Sequence, residues 1–420
     1  MVVGGGIVGA ATAYELARRG VKVALCEKGR IGGEQSSRNW GWIRTSRRDP
    51  REIPLMLLAQ RMWQELRLEL GQALGYSRSG IVFTCDDEDS LAESEDWALR
   101  HLKPHDVAFE LLSRKGVRDV FAGSRMDVAG ALLTPGDGRA DPAAATAAIA
   151  RAAGERGVSL LTRCAVRGLQ TAGGAVCGVE TEHGPIACSA VVLAGGAWSS
   201  LFAERYGLFL PQLKVVNTVA QTSPVPDGPR QSIWAKGYAV SGRPDGSYTV
   251  ASARENVVDV VPALFRYARK FFPAFLSEWR HLSLRVRRLF LEELLRPRDW
   301  PAGRPSPFES VRVLEPAVSQ AMLERALAAL RADFPAFAGA TLVRRWAGYI
   351  DVTPDAIPVI SAVESLPGFY VSTGYSGHGF GIAPAAGRLT AQLVLGERPA
   401  VDPYSFRLSR FSDGSKMVLG

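Results

Sequence analysis

The stretch Val2-Val3-Gly4-Gly5-Gly6-Ile7-Val8-Gly9 decides how this chain folds. Two β-branched residues run straight into a G-x-G-x-x-G spacing at Gly4, Gly6 and Gly9. Ala10 to Arg19 then reads as a helix with Gly20 as its stop, and Val21 to Cys26 as a buried strand with Glu27 at its end. Each glycine has a physical task. Gly4 permits the tight turn, Gly6 lets backbone approach a pyrophosphate, and Gly9 lets helix and strand pack closely. The N-terminus of that helix faces the phosphates with its free N–H groups. Glu27, 18 residues after Gly9, is placed to accept hydrogen bonds from a ribose without a 2′-phosphate. The first strand has only three residues, so the natural start is expected to lie a few residues upstream.

Working outward, composition narrows the class. The 420 residues predict two to three domains, and 47% apolar with 22% charged residues suits a globular enzyme rather than a disordered chain. Net charge is +8, but nearly all the basic residues are Arg and they are spread along the chain. A nucleic-acid protein gathers them in a stripe, so no nucleic-acid partner is expected. The five Cys (Cys26, Cys85, Cys164, Cys177, Cys188) form no C-x-x-C pair. Neither a disulfide framework nor a cysteine-built metal site is expected, and a reducing, cytoplasmic setting follows. No run of 18 apolar residues and no signal peptide is read. Leu264 to Leu295 mixes Phe265, Phe271, Phe272, Phe275, Trp279 and Phe290 with seven Arg and Lys, which points to peripheral contact with a membrane face; Pro273 is expected to interrupt any single helix there.

Three further segments repeat the glycine theme. Gly32 to Arg44 contains Ser36-Ser37-Arg38-Asn39-Trp40-Gly41-Trp42, whose hydroxyls suit helix capping and phosphate contacts. Ala190 to Trp198 is a buried strand ending in Ala194-Gly195-Gly196. Gly368 to Gly374 is a strand and turn, and Ser376-Gly377-His378-Gly379-Phe380-Gly381-Ile382 opens a helix running through Leu395. Two glycine-rich helix starts so far apart suit a long cofactor gripped at both ends.

This combination resembles the FAD-dependent D-amino-acid oxidase-like family, which includes glycine oxidase, sarcosine oxidase and D-amino-acid dehydrogenases. The resemblance covers nearly the whole chain and is strongest at Gly4–Glu27, Ser36–Arg44, Val191–Trp198 and Trp346–Arg388. It implies an α/β fold: a Rossmann-like FAD domain of glutathione reductase-type topology, with an interleaved α+β substrate domain built on an antiparallel sheet. The expected divisions are 1–48, 138–208 and 345–420 for FAD, and 49–137 and 209–344 for substrate. By resemblance, Gly4, Gly6, Ile7, Val8 and Gly9 hold the pyrophosphate, and Glu27 with Lys28 the adenosine end. Ser36, Ser37, Arg38 and Asn39 hold phosphates and ribityl, and Val166 contacts adenine. Gly41, Trp42, Ala194, Gly195, Trp198 and Gly348 flank the cofactor. Gly377, His378, Gly379, Phe380, Gly381 and Ile382 aim a positive helix end at the flavin pyrimidine.

The same resemblance implies oxidation of the C–N bond of an amino acid, or an N-substituted or cyclic one, by hydride transfer to flavin N5, with the imine then hydrolysed. An Arg fork should anchor the carboxylate. Glycine oxidase-like members carry Arg two residues after W-A-G, where this chain has Ile350. Sarcosine oxidase-like members carry Lys two residues after G-H-G, where this chain has Gly381. Arg44 remains as the candidate anchor, with Tyr349, Asp351 and His378 as further catalytic candidates and Trp40 and Trp42 as pocket walls. No Cys follows Cys188 and no His precedes His101, so dissociable FAD is expected. The oxygen-activating Lys of sarcosine oxidases has no match, and Arg254 stands roughly there. The electron acceptor is O2 or a quinone or other carrier, and this absence points toward the carrier. No metal is expected. The alternatives are an FAD-dependent 2-hydroxyacid dehydrogenase, or the FAD subunit of a heteromeric amino-acid or opine dehydrogenase.

Overall fold

A computed structural model describes residues 1–253, 255–279, 282–301 and 303–419. Arg254 thus lies outside the described residues. Val2–Val3 forms a central strand of a six-stranded sheet. The order is Val359–Ala362, Phe369–Thr373, Val191–Leu193, Val2–Val3, Ala24–Glu27, Ser159–Thr162. All neighbours are parallel except the antiparallel edge strand Val359–Ala362. Parallel strands need cover on both faces, which explains their unbroken apolar runs. Helices Ile7–Ala17, Pro142–Glu155 and Gly379–Leu395 pack on one face around Ala10, Ala13, Ile149, Ile382 and Leu389. An antiparallel meander, Val166–Ala172, Ala175–Thr181 and Gly184–Ala187, covers the other with Phe202 and Trp198.

The first helix begins three residues earlier than the sequence suggests and ends at Ala17, with Gly6 as its N-cap. A Cβ on Gly9 would lie 2.0 Å from the Gly4 carbonyl oxygen, so only glycine lets this helix start so close to its strand. The following strand is shorter than expected, Ala24–Glu27. Asp141-Pro142 ahead of an Ala-rich run reads in sequence as a capped helix start, and helix Pro142–Glu155 has that start: Asp141 accepts from the Ala144 N–H (2.9 Å), and Pro142 takes the first turn. Helix Ile53–Leu70 buries Leu55, Leu58, Ala59, Met62, Trp63 and Leu66 at helical spacing. The Trp63 indole N–H donates to the Gly381 carbonyl (2.8 Å), tying this helix to the start of Gly379–Leu395.

A second, ten-stranded sheet has Leu213–Thr222 near its middle. That strand pairs antiparallel with Leu342–Val352 over its whole length, setting Asn217 opposite Gly348 and Val215 opposite Ile350. In sequence, residues 232–241 run apolar in strand-like fashion as one stretch. In the structure they are two strands, Ser232–Trp234 and Ala239–Gly242, closed by Ala235 N–H donating to Tyr238 O (2.9 Å). Helix Pro262–Glu278 runs on through Pro273, contrary to the expected break. The carbonyl that Pro273 leaves without a donor belongs to exposed Arg269, where solvent reaches it. Tyr267 and Phe271 form the buried face against Leu213, while Phe265, Phe272, Phe275 and Leu276 stay exposed. No helix among the described residues is long and apolar enough to cross a membrane.

Candidate active site

One long cavity starts at the C-terminal ends of the parallel strands and runs into the second sheet. At one end lie Glu27, Cys164, Val166, Phe308 and Arg312. Its middle is lined by Gly4, Gly6, Ile7, Val8, Ser36, Ala194, Gly195 and Gly196. Its far end carries Trp40, Trp42, Arg44, Arg48, Asn217, Trp234, Tyr349 and His378.

The near end fits an adenosine. Glu27 Oε2 accepts from the Gly5 N–H (2.7 Å) and Oε1 from the Gly29 N–H (2.6 Å), so the carboxylate is fixed while each oxygen keeps a lone pair for a hydroxyl. Burial holds it above the usual carboxylate range against those two donors. Gly4 has φ +111°, and a Cβ there would sit 2.3 Å from the Ala194 carbonyl oxygen. The two glycine-rich turns therefore touch, and together they make a narrow backbone cradle. Ser36 caps no helix through its side chain in its own turn; its Oγ instead accepts from the Ile7 N–H (2.8 Å). That leaves its hydroxyl proton free to donate into the cavity beside Gly6. Trp42 Nε1 on the wall is buried without a protein acceptor, as a group awaiting a ligand would be.

Two cations expected at the cofactor, Arg38 at the phosphates and Lys28 at the adenosine end, are engaged elsewhere. Arg38 donates to the Ala347 carbonyl (2.9 Å), the Gly33 carbonyl (3.2 Å) and Glu315 (3.3 Å). Lys28 Nζ serves Glu34 (2.8 Å) and the Val311 and Arg312 carbonyls, and lies over the Trp198 ring. Neutralising a pyrophosphate thus falls to backbone N–H groups and the helix dipole. Asn39 lines the wall but folds back on its own turn, its Oδ1 accepting from the Gly41 N–H (2.8 Å). Gly9, Ser37, Gly41, Gly381 and Ile382 are not on the wall. Gly9, Gly41 and Gly381 serve close backbone packing, Ser37 bonds the Glu34 carbonyl, and Ile382 is fully buried core. Gly348, Gly377, Gly379 and Phe380 do line it, with the N-terminus of Gly379–Leu395 facing inward.

At the far end Arg44 stands out electrostatically. Its Nη1 donates to the Ser46 carbonyl (2.5 Å) and its Nη2 meets His378 Nε2 (3.4 Å), but among the described residues no carboxylate lies within ion-pair reach. Burial and the neighbouring Arg48 cation pull it down to about 9, so it is still a cation at neutral pH. Asp137 holds the loop in place. It accepts from Thr45 N–H (2.7 Å), Ser46 N–H (3.2 Å), Ser46 Oγ (2.7 Å) and Gln60 (2.8 Å). Arg48 donates to the Arg44 and His378 carbonyls and pairs with buried Glu52 (3.7 Å). Next to Arg44, Trp40, Trp42, Trp234 and Phe83 form an aromatic box with centroids 5.2–6.1 Å apart, and the guanidinium lies over Phe83.

The other candidates divide. Tyr349 lines the cavity. Asp351 also lines it, but its Oδ2 accepts from Gly374 N–H (3.0 Å) and Gln212 (3.1 Å), so that oxygen braces the turn before Gly377. Burial pushes Asp351 up to about 6. Arg48, Glu52, Asp137 and Trp234 escaped the sequence reading. The spacing of four between Arg44, Arg48 and Glu52 gave no usable signal, because Arg44 and Arg48 lie in a loop ahead of the short turn Pro50–Glu52 and not on a helix. Among the described residues no cluster of side chains suits a metal ion.

Three comparisons bear on this geometry. A model of the family described as FAD dependent oxidoreductase (DAO) matches residues 1–393. The structure of L-amino acid deaminase from Proteus myxofaciens in complex with anthranilate superposes with TM-score 0.94 at 31% identity, over 98% of this chain and 93% of that one. Sarcosine oxidase subunit beta of Rhizobium meliloti is 27% identical over 99% of this chain and 88% of its own length, and glycine oxidase of Pseudomonas putida 26% over 97% of each.

Proposed function

This chain belongs to the DAO family of FAD-dependent oxidoreductases, and on that premise we propose that it oxidises the C–N bond of an α-amino acid with a bulky, apolar side chain. The observation that carries the substrate reading is Arg44, a half-buried guanidinium with no carboxylate partner among the described residues, set against an aromatic box in one cavity end. A carboxylate supplies the missing counter-charge, and the box receives the side chain. Anthranilate, bound by the Proteus myxofaciens deaminase, combines an aromatic ring, an amine and a carboxylate, which suits such a pocket.

Gly4, Gly6, Ser36 and Glu27 would hold the adenosine diphosphate half of FAD, and Trp42, Gly348 and Gly377 to Phe380 would flank its ring. When bound, FAD would supply the two-electron acceptor for oxidation of the C–N bond to an imine, which water would hydrolyse. The protein's share is orientation and charge. Arg44 fixes the carboxylate, the box excludes water around the side chain, and the helix N-terminus at Gly379 favours negative charge facing it. Cys26 and Cys164 are the cysteines on the described wall, with sulfurs 3.7 Å apart at the adenosine end, far from Trp42 and Gly348. We therefore take FAD to be dissociable; acid precipitation should release the yellow colour. Anaerobic titration with phenylalanine and its homologues should bleach the flavin, and bleaching by glycine or sarcosine alone would contradict the bulky-substrate reading.

The name sarcosine oxidase subunit beta supports a second reading, in which this chain is the FAD subunit of a heteromeric enzyme. A purified single chain that holds FAD yet is reduced by no amino acid would favour it. The exposed Phe265, Phe272, Phe275 and Leu276, flanked by Arg269 and Lys270, support peripheral contact with an anionic membrane. Sedimentation with phosphatidylglycerol vesicles tests this.

A further inference from the structure

Glu52 and His378 lie 326 residues apart in sequence and meet behind Arg44. Glu52 is fully buried at the start of helix Ile53–Leu70, and its Oε2 is 3.2 Å from His378 Nδ1. The other ring nitrogen, Nε2, faces Arg44 Nη2 at 3.4 Å. Chemistry assigns both protons. A carboxylate only accepts, so Nδ1 carries the hydrogen; a guanidinium only donates, so Nε2 is left with its lone pair. His378 lies on the cavity wall, and 22% of its side chain is exposed.

Resting on the reading of Arg44 as the carboxylate anchor, we propose that His378 Nε2 accepts a proton from the substrate α-ammonium, and that Glu52 is the positioning residue that presents this nitrogen. An amino acid reaches the site as a zwitterion, and its nitrogen needs a free lone pair before a C=N bond can form. In the step, the substrate carboxylate takes over the Arg44 Nη2 donor that faces Nε2 in the empty site, one N–H bond of the ammonium breaks, and one Nε2–H bond forms on the lone pair so freed. The imidazolium is then flanked by the Glu52 carboxylate. A carboxylate seated on Arg44 brings the neighbouring ammonium to the same wall, because the two groups share one carbon.

The charged groups facing the ring are Glu52 from the preceding turn and Arg44 and Arg48 from the loop before it. Asp49 stands beside Glu52 and Asp137 behind Arg44, while the Tyr375 hydroxyl is engaged by Ser372 Oγ. With no substrate, burial and the two arginine cations hold His378 far below its usual range, at about 4. The substrate carboxylate offsets the Arg44 charge and so raises the basicity of Nε2 when a proton is to be taken. His378 and Arg48 also keep Glu52 below the usual carboxylate range despite its burial, so it stays charged.

The test is the limiting rate of anaerobic flavin bleaching, followed across pH in the holoenzyme, for wild type, Glu52→Gln and His378→Asn. The amide introduced by Glu52→Gln would still accept from Nδ1–H but would not offset an imidazolium. The wild-type rate should be nearly flat from about pH 7 to pH 10, while Glu52→Gln should fall about tenfold at the lower end and converge on it at the upper. His378→Asn, which carries the test if Glu52→Gln loses FAD, should rise about tenfold per pH unit until the bound amine itself titrates. The dissociation constant of phenylacetate, an aromatic carboxylate without an amine, should stay within about threefold in both variants, since it probes Arg44 alone. Variant profiles parallel to wild type would overturn the proton-acceptor assignment while leaving the anchor intact. Weakened phenylacetate binding in both variants would show that the pair only props Arg44, and would overturn it equally.

Discussion

Replacing Arg44 with Met separates the two roles a half-buried arginine can have. Arg44 has two polar contacts, the Ser46 carbonyl and His378 Nε2, and no ion-pair partner among the described residues. If it anchors a carboxylate, its loss leaves the substrate's charge buried and unpaired. Breaking such a contact costs about 3–5 kcal/mol. At about 1.4 kcal/mol per tenfold, that is roughly a 10²- to 10⁴-fold weaker carboxylate. Fold stability should move in the other direction or hardly at all. Methionine removes a half-buried cation that has no ion-pair partner among the described residues and strands only neutral acceptors, so the change should lie within about 1 kcal/mol. The assay is equilibrium binding of phenylacetate read from the flavin spectrum, alongside thermal unfolding of the same preparation. Phenethylamine, which has no carboxylate, should bind Arg44→Met and wild type alike. Arg44→Lys keeps the charge but loses the fork, and should recover only part of the affinity. Phenylacetate binding unchanged in Arg44→Met, or unfolding made easier by about 3 kcal/mol, would show that Arg44 is structural and refute the anchor.

Trp234→Ala opens the aromatic box, whose rings lie 5.2 Å and 5.7 Å from Trp40 and Phe83. Losing that burial should lower kcat/KM for phenylalanine by about 2–3 kcal/mol, roughly 30- to 150-fold, with little effect on alanine. Gly4→Ala drives a Cβ against the Ala194 carbonyl at positive φ, so purified protein should carry far less FAD by its visible absorbance. Asp351 is raised to about 6 in the fold, above its unfolded value of about 3.9, so the native state binds the extra proton between those limits. Its contribution to stability is therefore lost as pH rises through that window, by about 3 kcal/mol for a shift of roughly two units. Asp351→Asn should flatten the denaturant midpoint against pH from about 4 to 6, and parallel curves would rule the effect out.

How far the chain could be read depended on the range over which each feature is determined. Gly4, Gly9 and Asp141 are legible because their demands are local: a positive φ, a close approach, a cap three residues from its donor. The expected break at Pro273 failed because the carbonyl it deprives faces solvent, and exposure is a tertiary property. The single reading of 232–241 failed because apolar periodicity does not show where a chain reverses.

The first thirty residues, with the glycine turns at 195 and 377, were enough to indicate a nucleotide crevice, since strand, turn and helix start follow one another within a few residues. Only the folded molecule decided which charges were available. Lys28 and Arg38 look like cofactor ligands in the chain, yet both are taken up by groups from residues 311 to 347, Lys28 by carbonyls and Arg38 by a carbonyl and a carboxylate. Arg44 is picked out in the sequence by resemblance alone, and only the folded molecule leaves it facing the cavity without a counter-charge among its described neighbours. Glu52 and Trp234 acquire meaning only beside His378 and Trp40. Backbone geometry is set by near neighbours, whereas the free energy of a charge depends on everything within several ångströms, and in this chain those groups come from hundreds of residues away.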